Sequence, residues 1–151
     1  MELPIDPKRV NRIPDPLPAP TVCPNCGGRV YLVHNSEVYN GQAYGVWPYV
    51  YACEDKVCDS YVGLHPNSYV PLGTLANRPL RNARRLAKEA FNPLWLDEGE
   101  ATHGARGRRT EAYTWLAQQL GIPKNQCHIA WFDEATCHAV VAHCKEKLCA
   151  P

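Results

Sequence analysis

An α+β fold is predicted: a four-cysteine zinc ribbon, a small antiparallel sheet, followed by a compact helical segment of about three helices. Three observations predict it. Two cysteine pairs stand at metal-ligand spacing, Cys23/Cys26 and Cys53/Cys58. Residues with high β propensity fill the interval between them. Beyond residue 77, apolar residues recur at helical rather than strand spacing.

The elements follow in chain order. Residues 1–20 carry prolines at 4, 7, 14, 16, 18 and 20 and few large apolar groups. This segment reads as a proline-rich, largely disordered arm, or one that lies along the folded body. The ribbon is assigned to residues 21–70. Its first knuckle is Cys23-Pro-Asn-Cys-Gly-Gly, where glycines let backbone amides approach the thiolates. Its second is the wider Cys53-Glu-Asp-Lys-Val-Cys58. Strands are expected over 29–34, 44–51 and 60–65, and 66–77 reads as a loop punctuated by Pro71 and Gly73.

The helical domain is assigned to 71–151. Its first helix runs from about Arg78 to Phe91, with Leu80, Ala83, Ala87 and Ala90 on one side. Arg81, Arg84, Arg85 and Lys88 recur at i, i+3, i+4 and i+7, and are expected on the opposite side. Asn92-Pro93 ends the helix. The glycines at 99, 104 and 107 make 97–109 a flexible loop, and a second helix spans about Thr110 to Leu120 with Gly121 as its stop. An extended piece at 128–132 leads to Asp133 as N-cap of a last helix, whose apolar stripe is Cys137, Val140, Val141, Cys144 and Leu148.

Composition bounds the chemistry. Net charge is +1 over 151 residues, so the chain as a whole is not a polycation, but 78–88 contains no acid and Arg106-Gly-Arg-Arg109 follows. The N-terminus lacks the apolar core of a signal peptide, and no apolar run approaches about 18 residues, which predicts a cytosolic, non-membrane protein. In a reducing compartment cysteines serve metal or packing, so one structural Zn²⁺ on Cys23, Cys26, Cys53 and Cys58 is favoured over two disulfides or four free thiols. A ribbon of about 50 residues buries too little apolar surface to fold without such help.

From Cys23 to about Cys144 the chain resembles a family of short, zinc-finger-containing proteins encoded mainly by bacteriophages and prophages. The matching stretches are Cys23-Pro-Asn-Cys-Gly-Gly, Tyr61-Val-Gly-Leu-His65, Pro71-Leu-Gly-Thr-Leu-Ala-Asn77 and Leu80-Arg-Asn-Ala-Arg84. Phe91-Asn-Pro-Leu-Trp95, Ala112-Tyr-Thr-Trp-Leu-Ala117 and Cys127-His-Ile-Ala-Trp-Phe-Asp133 continue the match. Lys88 departs from it, standing where the family's pattern has histidine. The resemblance implies zinc, a phage setting and hence a bacterial host cytoplasm; it implies no reaction.

The candidate nucleic-acid-binding residues are Arg81, Arg84, Arg85, Lys88, Arg108 and Arg109. Unpaired like charges at i, i+3 and i+4 cost a helix about 0.2–0.5 kcal/mol per pair, so a cluster suits a polyanionic partner. A solvated face paired with Asp97, Glu98 or Glu100 is the plainer account. Tyr31, Tyr39, Tyr44, Trp47, Tyr49, Tyr51 and Tyr61 are able to stack bases, but a small ribbon has little else to bury, which favours core. Cys127, His128, Cys137, His138, His143 and Cys144 invite a second metal site. Helical geometry opposes it, since His138 and His143 flank the stripe on opposite sides. His65 suits a loop hydrogen bond better than a phosphate contact, and His103 with Asp97 and Glu100 is a weak candidate for hydrolytic metal chemistry. No phosphate-binding glycine loop, nucleophile elbow or HExxH occurs. The reading is therefore a non-enzymatic nucleic-acid-binding protein without catalytic residues or a small-molecule substrate. The alternative is a protein-binding module that inhibits or redirects a host enzyme.

Overall fold

The computed structural model describes residues 2–96 and 104–150. The chain divides into two compact units, Met1–Arg78 and Pro79–Pro151, eight residues later than the 70/71 boundary expected. The reason is local: Leu64 pairs with Pro71 and Tyr61 with Ala76, so the 71–76 segment is tied to the sheet.

In the first unit, β1 (Val30–His34), β2 (Tyr49–Cys53) and β3 (Tyr61–Gly63) form an antiparallel sheet in that order. The register pairs Val30 with Cys53, Leu32 with Tyr51 and Tyr51 with Val62. Because side chains alternate, Tyr49, Tyr51, Cys53 and Val62 share one face. That face packs with Cys23, Leu64, Leu75 and Trp47 into the unit's core. The Trp47 indole donates to the Ser68 carbonyl and the Tyr51 hydroxyl to that of Tyr69, which satisfies their polar ends. Trp47, Tyr49 and Tyr51 are core, as the ribbon's size suggests, but Tyr31 and Tyr44 are exposed, so the expectation does not hold for all seven aromatics.

Strand β2 starts at Tyr49, not 44. The buried Asn35 side chain donates to the Tyr44 carbonyl and accepts from the Tyr44 amide, which holds 35–48 as a loop. Asn40, Gly41 and Gly45 take positive φ there.

The N-terminal arm has structure of its own. Asp6 caps the one-turn helix α1 (Pro7–Val10) by accepting from the Lys8 amide, with Pro7 pre-set for the first helical position. The Leu3 amide donates to the Tyr69 hydroxyl, and the Asp6 amide to the Asn67 carbonyl. The arm, expected to be largely disordered, instead carries a helical turn and is tied along the body of its own unit by these bonds.

The second unit contains α2 (Arg78–Phe91, which opens at the boundary), α3 (Ala105–Leu120) and α4 (Glu134–Cys149). Ala83, Ala87 and Phe91 meet Ala112, Leu116 and Ala117 of α3 and Cys137, Val140 and Cys144 of α4. Cys127, Ile129 and Phe132 fill the core from the connection between α3 and α4. That connection contains a 3₁₀ turn at Ile129–Trp131 in place of the extended piece expected. Asp133 caps α4 by accepting from the Thr136 amide at 2.8 Å, and Gly121 closes α3 at φ 67°. Helix α3 begins five residues earlier than expected, so Arg106, Arg108 and Arg109 are helical. No helix among the described residues is long and apolar enough to cross a membrane.

Candidate metal centre and basic surface

The first knuckle is closed by two backbone bonds, Cys23 N–H to Gly28 carbonyl and Gly27 N–H to Cys23 carbonyl, each 2.8 Å. Gly27 sits at φ +80°, a conformation that favours glycine. Gly28 is glycine for another reason: a Cβ there would lie 3.2 Å from Cys53 Sγ and 3.3 Å from Cys26 Sγ. The second knuckle is organised by Asp55, whose carboxylate accepts from the amides of Val57 and Cys58. Cys53 is the last residue of β2 and points into the core, so the sheet itself delivers one ligand.

The four Sγ atoms lie within 4.8 Å of one another, with Cys23–Cys58 at 3.8 Å and Cys26–Cys53 at 3.4 Å. A tetrahedral ion with bonds of about 2.3 Å places its sulfurs about 3.8 Å apart, so the set fits Zn²⁺. The Gly28 amide donates to Cys26 Sγ at 3.4 Å. The Ser60 hydroxyl lies 3.1 Å from Cys58 Sγ and accepts from the Asn25 amide, which also donates to the Leu75 carbonyl. Asn25 and Ser60 thus brace both knuckles, a role that the two-residue offset of Ser60 from Cys58 does not announce.

The thiols are electrostatically unequal. Burial pushes Cys23 up, but the Asn25 and Cys26 amides, Ser60 and Cys58 outweigh it and bring the thiol down to about 7. Burial dominates at Cys53 and raises it to about 12, against the Asp55 amide and with help from Cys26 and Cys23. At Cys58 the Ser60 hydroxyl lowers the thiol, but burial and the neighbouring sulfurs win and the balance is upward. A divalent cation resolves this conflict by replacing protons on sulfurs that cannot all ionise alone. Cys23, Cys26, Cys53 and Cys58 hold one structural zinc ion, and a closed Cys₄ shell leaves no open position for substrate.

Among the described residues, this is the group in which three or more metal-ligating side chains converge. Cys127, Cys137 and Cys144 are buried in the helical core and give no second centre. His128 stacks on Trp131 at 4.2 Å. Lys88 is exposed. Asp97, Glu98, Glu100 and His103 lie outside the described residues.

The basic face is narrower than expected. Arg85 and Lys88 are exposed and Arg81 is half-buried, but Arg84 is only 8% exposed. Its Nε donates to the Phe132 carbonyl at 3.0 Å, and burial lowers its pKa from 12.5 to about 10. Arg84 therefore does not belong to a phosphate-tracking stripe. Arg85 makes an exposed ion pair with Glu89 at 2.8 Å, a contact of little energetic weight. On α3, Arg108 Nε donates to the Trp95 carbonyl at 3.1 Å. Arg109 is exposed, with its guanidinium over the rings of Tyr113 at 4.9 Å and Trp95 at 5.7 Å.

Residues 19–147 match the family defined by a zinc-finger-containing domain, and the chain belongs to that family. No curated protein and no solved structure matches it.

Proposed function

We propose that this protein is a zinc-stabilised, non-enzymatic nucleic-acid-binding protein of phage or prophage origin, acting in the host cytoplasm, and that its helical unit makes the contact. The observation that carries the reading is the segregation of charge. Among the described residues, α2 and the first five residues of α3 hold Arg78, Arg81, Arg85, Lys88, Arg106, Arg108 and Arg109 outside the core, against Glu89 as the acid of the same segments. Three of these arginines occupy the start of α3, where the helix dipole is already positive. That placement costs the helix stability and concentrates positive potential, which a polyanion relieves.

The unit that carries the zinc site has the opposite character. The Met1–Arg78 unit has six Lys/Arg against seven Asp/Glu, and a Zn²⁺ with four thiolates adds two negative charges. Glu54 and Asp55 lie on the second knuckle and Asp59 directly follows it. Zinc therefore supports the fold, and phosphate contact falls to the helices.

Fluorescence anisotropy of the zinc-loaded protein with labelled single- and double-stranded DNA and RNA, over a salt series, tests the reading. Affinity should fall steeply with salt. Arg85→Ala with Lys88→Ala should weaken binding to every sequence and flatten the log–log salt slope by roughly 1.5, at about 0.7–0.9 per lost phosphate contact. No binding to any of the four at low salt refutes the reading and leaves a host protein as the partner to seek.

A further inference from the structure

We infer that Arg109, seated on Tyr113 and Trp95, is a nucleobase-stacking site, and that the nucleic acid bound is accordingly single-stranded. The inference rests on the nucleic-acid reading above and names its substrate class.

Bases need a flat, exposed partner, and the ribbon does not supply one from its central aromatics. Trp47, Tyr49 and Tyr51 are committed to the core of their own unit. In the helical unit the situation differs. Arg109 is exposed, yet its guanidinium is not left to move as a surface arginine would. Its carbon lies 4.9 Å from the Tyr113 ring centre and 5.7 Å from that of Trp95. Both rings are held from behind. Tyr113 packs on the fully buried Phe91 at 4.6 Å between centroids, and Trp95 packs against the helical core, with its backbone carbonyl accepting from Arg108 Nε.

A phosphate contact alone requires none of this. Lysine or a mobile arginine meets a phosphate as a charge, whereas a ring-seated guanidinium presents a delocalised, weakly hydrated plane. Such planes and aromatic faces are what unstacked bases lie against. In a duplex those base faces are already covered by neighbouring base pairs, so the feature has value only for a single strand or a loop. Trp95 adds a second sign. Its indole N–H is buried without an acceptor, a cost that phenylalanine in the same place would avoid. A tryptophan there brings more ring area under Arg109 than phenylalanine would. Arg106, exposed at the start of α3, supplies charge for a flanking phosphate.

The test uses the full zinc-loaded chain and three probes of equal length: a labelled oligothymidylate, an abasic strand and a duplex. The wild type should bind the oligothymidylate roughly tenfold tighter than the abasic strand, with quenching of tryptophan fluorescence. Arg109→Lys keeps the charge and removes the plane. It should abolish most of that difference, while affinity for the abasic strand, which depends on charge, falls far less. Equal wild-type affinity for the base-bearing and abasic strands overturns the stacking site, whatever the variant does. So does a duplex bound as tightly as the single strand, or a lysine variant weakened equally on both strands; in each of these cases nucleic-acid binding itself stands. Absence of binding to all three probes overturns both readings together.

Discussion

Replacing Arg84 with methionine asks whether this residue belongs to the partner surface or to the fold. Its guanidinium sits in the helical core, 8% exposed, with Nε donating to the Phe132 carbonyl at 3.0 Å. Two terms oppose each other. Burial lowers the pKa from 12.5 to about 10, which corresponds to roughly 3 kcal/mol spent on keeping the charge out of water. Removing the charge recovers that amount. Against it stands the loss of a charge-assisted hydrogen bond, about 1.5–3 kcal/mol, with the Phe132 carbonyl left short of a donor. Methionine refills the volume of the stem with a flexible apolar chain. The net change in stability is expected to stay within about 2 kcal/mol. Arg84→Ala should cost a further 2–4 kcal/mol or so, because nothing replaces the stem and a cavity remains.

Urea melts of both variants measure the stability terms, and anisotropy with a labelled single strand measures binding. Arg84→Met should bind as the wild type does, with an unchanged salt slope, while Arg85→Ala weakens binding without a comparable loss of stability. If Arg84→Met melts like the wild type but loses affinity as Arg85→Ala does, the guanidinium reaches the partner and its assignment to the core is wrong.

Two further expectations concern the thiols. Gly28→Ala should weaken zinc at least tenfold in competition with a chromophoric chelator, since the new Cβ falls 3.2 Å and 3.3 Å from two ligand sulfurs. A variant that competes as the wild type does would show that the knuckle yields to the methyl group. Stability should also fall at alkaline pH. Burial raises Cys127, Cys137 and Cys144 from 9.0 to about 11, with Arg84 opposing the rise at Cys137. Unfolded thiols release their protons near 9 and folded ones hold them to about 11. The stabilisation is therefore complete below pH 9 and is lost as pH climbs toward 11, by about 1.4 kcal/mol per thiol at pH 10. Arg84 acts in the opposite sense only above about pH 10, so urea midpoints between pH 8 and 10, compared with those of a variant carrying Cys127→Ala, Cys137→Ala and Cys144→Ala, read the cysteines' share; a wild type whose midpoint falls no more than the variant's contradicts the account.

The zinc ligands were legible because the information is local. Each knuckle places two cysteines within a few residues, and its glycines and Asp55 turn the backbone without distant help. The boundaries of α2 were legible too, since Asn92-Pro93 stops a helix whatever surrounds it. The start of α3 was not. Gly104 and Gly107 resemble loop residues, yet Gly107 is inside the helix, where a cost of about 1 kcal/mol is outweighed by burial of Ala112, Leu116 and Ala117. The N-terminal arm shows the same limit: its prolines suggest an unfixed chain, while Asn67 and Tyr69, more than sixty residues away, supply the bonds that fix it.

Arg84 was misplaced for a reason that was present in the sequence. At 100° per residue, Leu80 and Phe91 lie within about 20° of each other, Arg84 about 40° from Leu80, and Lys88, Arg81 and Arg85 at about 80°, 100° and 140°. Four cations at i, i+3, i+4 and i+7 form one stripe, but its edge overlaps the apolar face, and the edge residue is drawn into the core once α4 and Phe132 pack there. Charge alone does not mark a surface. The Trp95–Arg109–Tyr113 seat is the converse case. Trp95 precedes α3, Arg109 and Tyr113 lie one turn apart within it, and no spacing rule joins a residue before the helix to one inside it. Contact joins them, through the Arg108 bond to the Trp95 carbonyl. The ribbon chemistry could be derived from spacing because zinc draws its ligands from short turns. A stacking surface draws on whichever rings the core leaves at its margin, so its residues become visible only after the core is known.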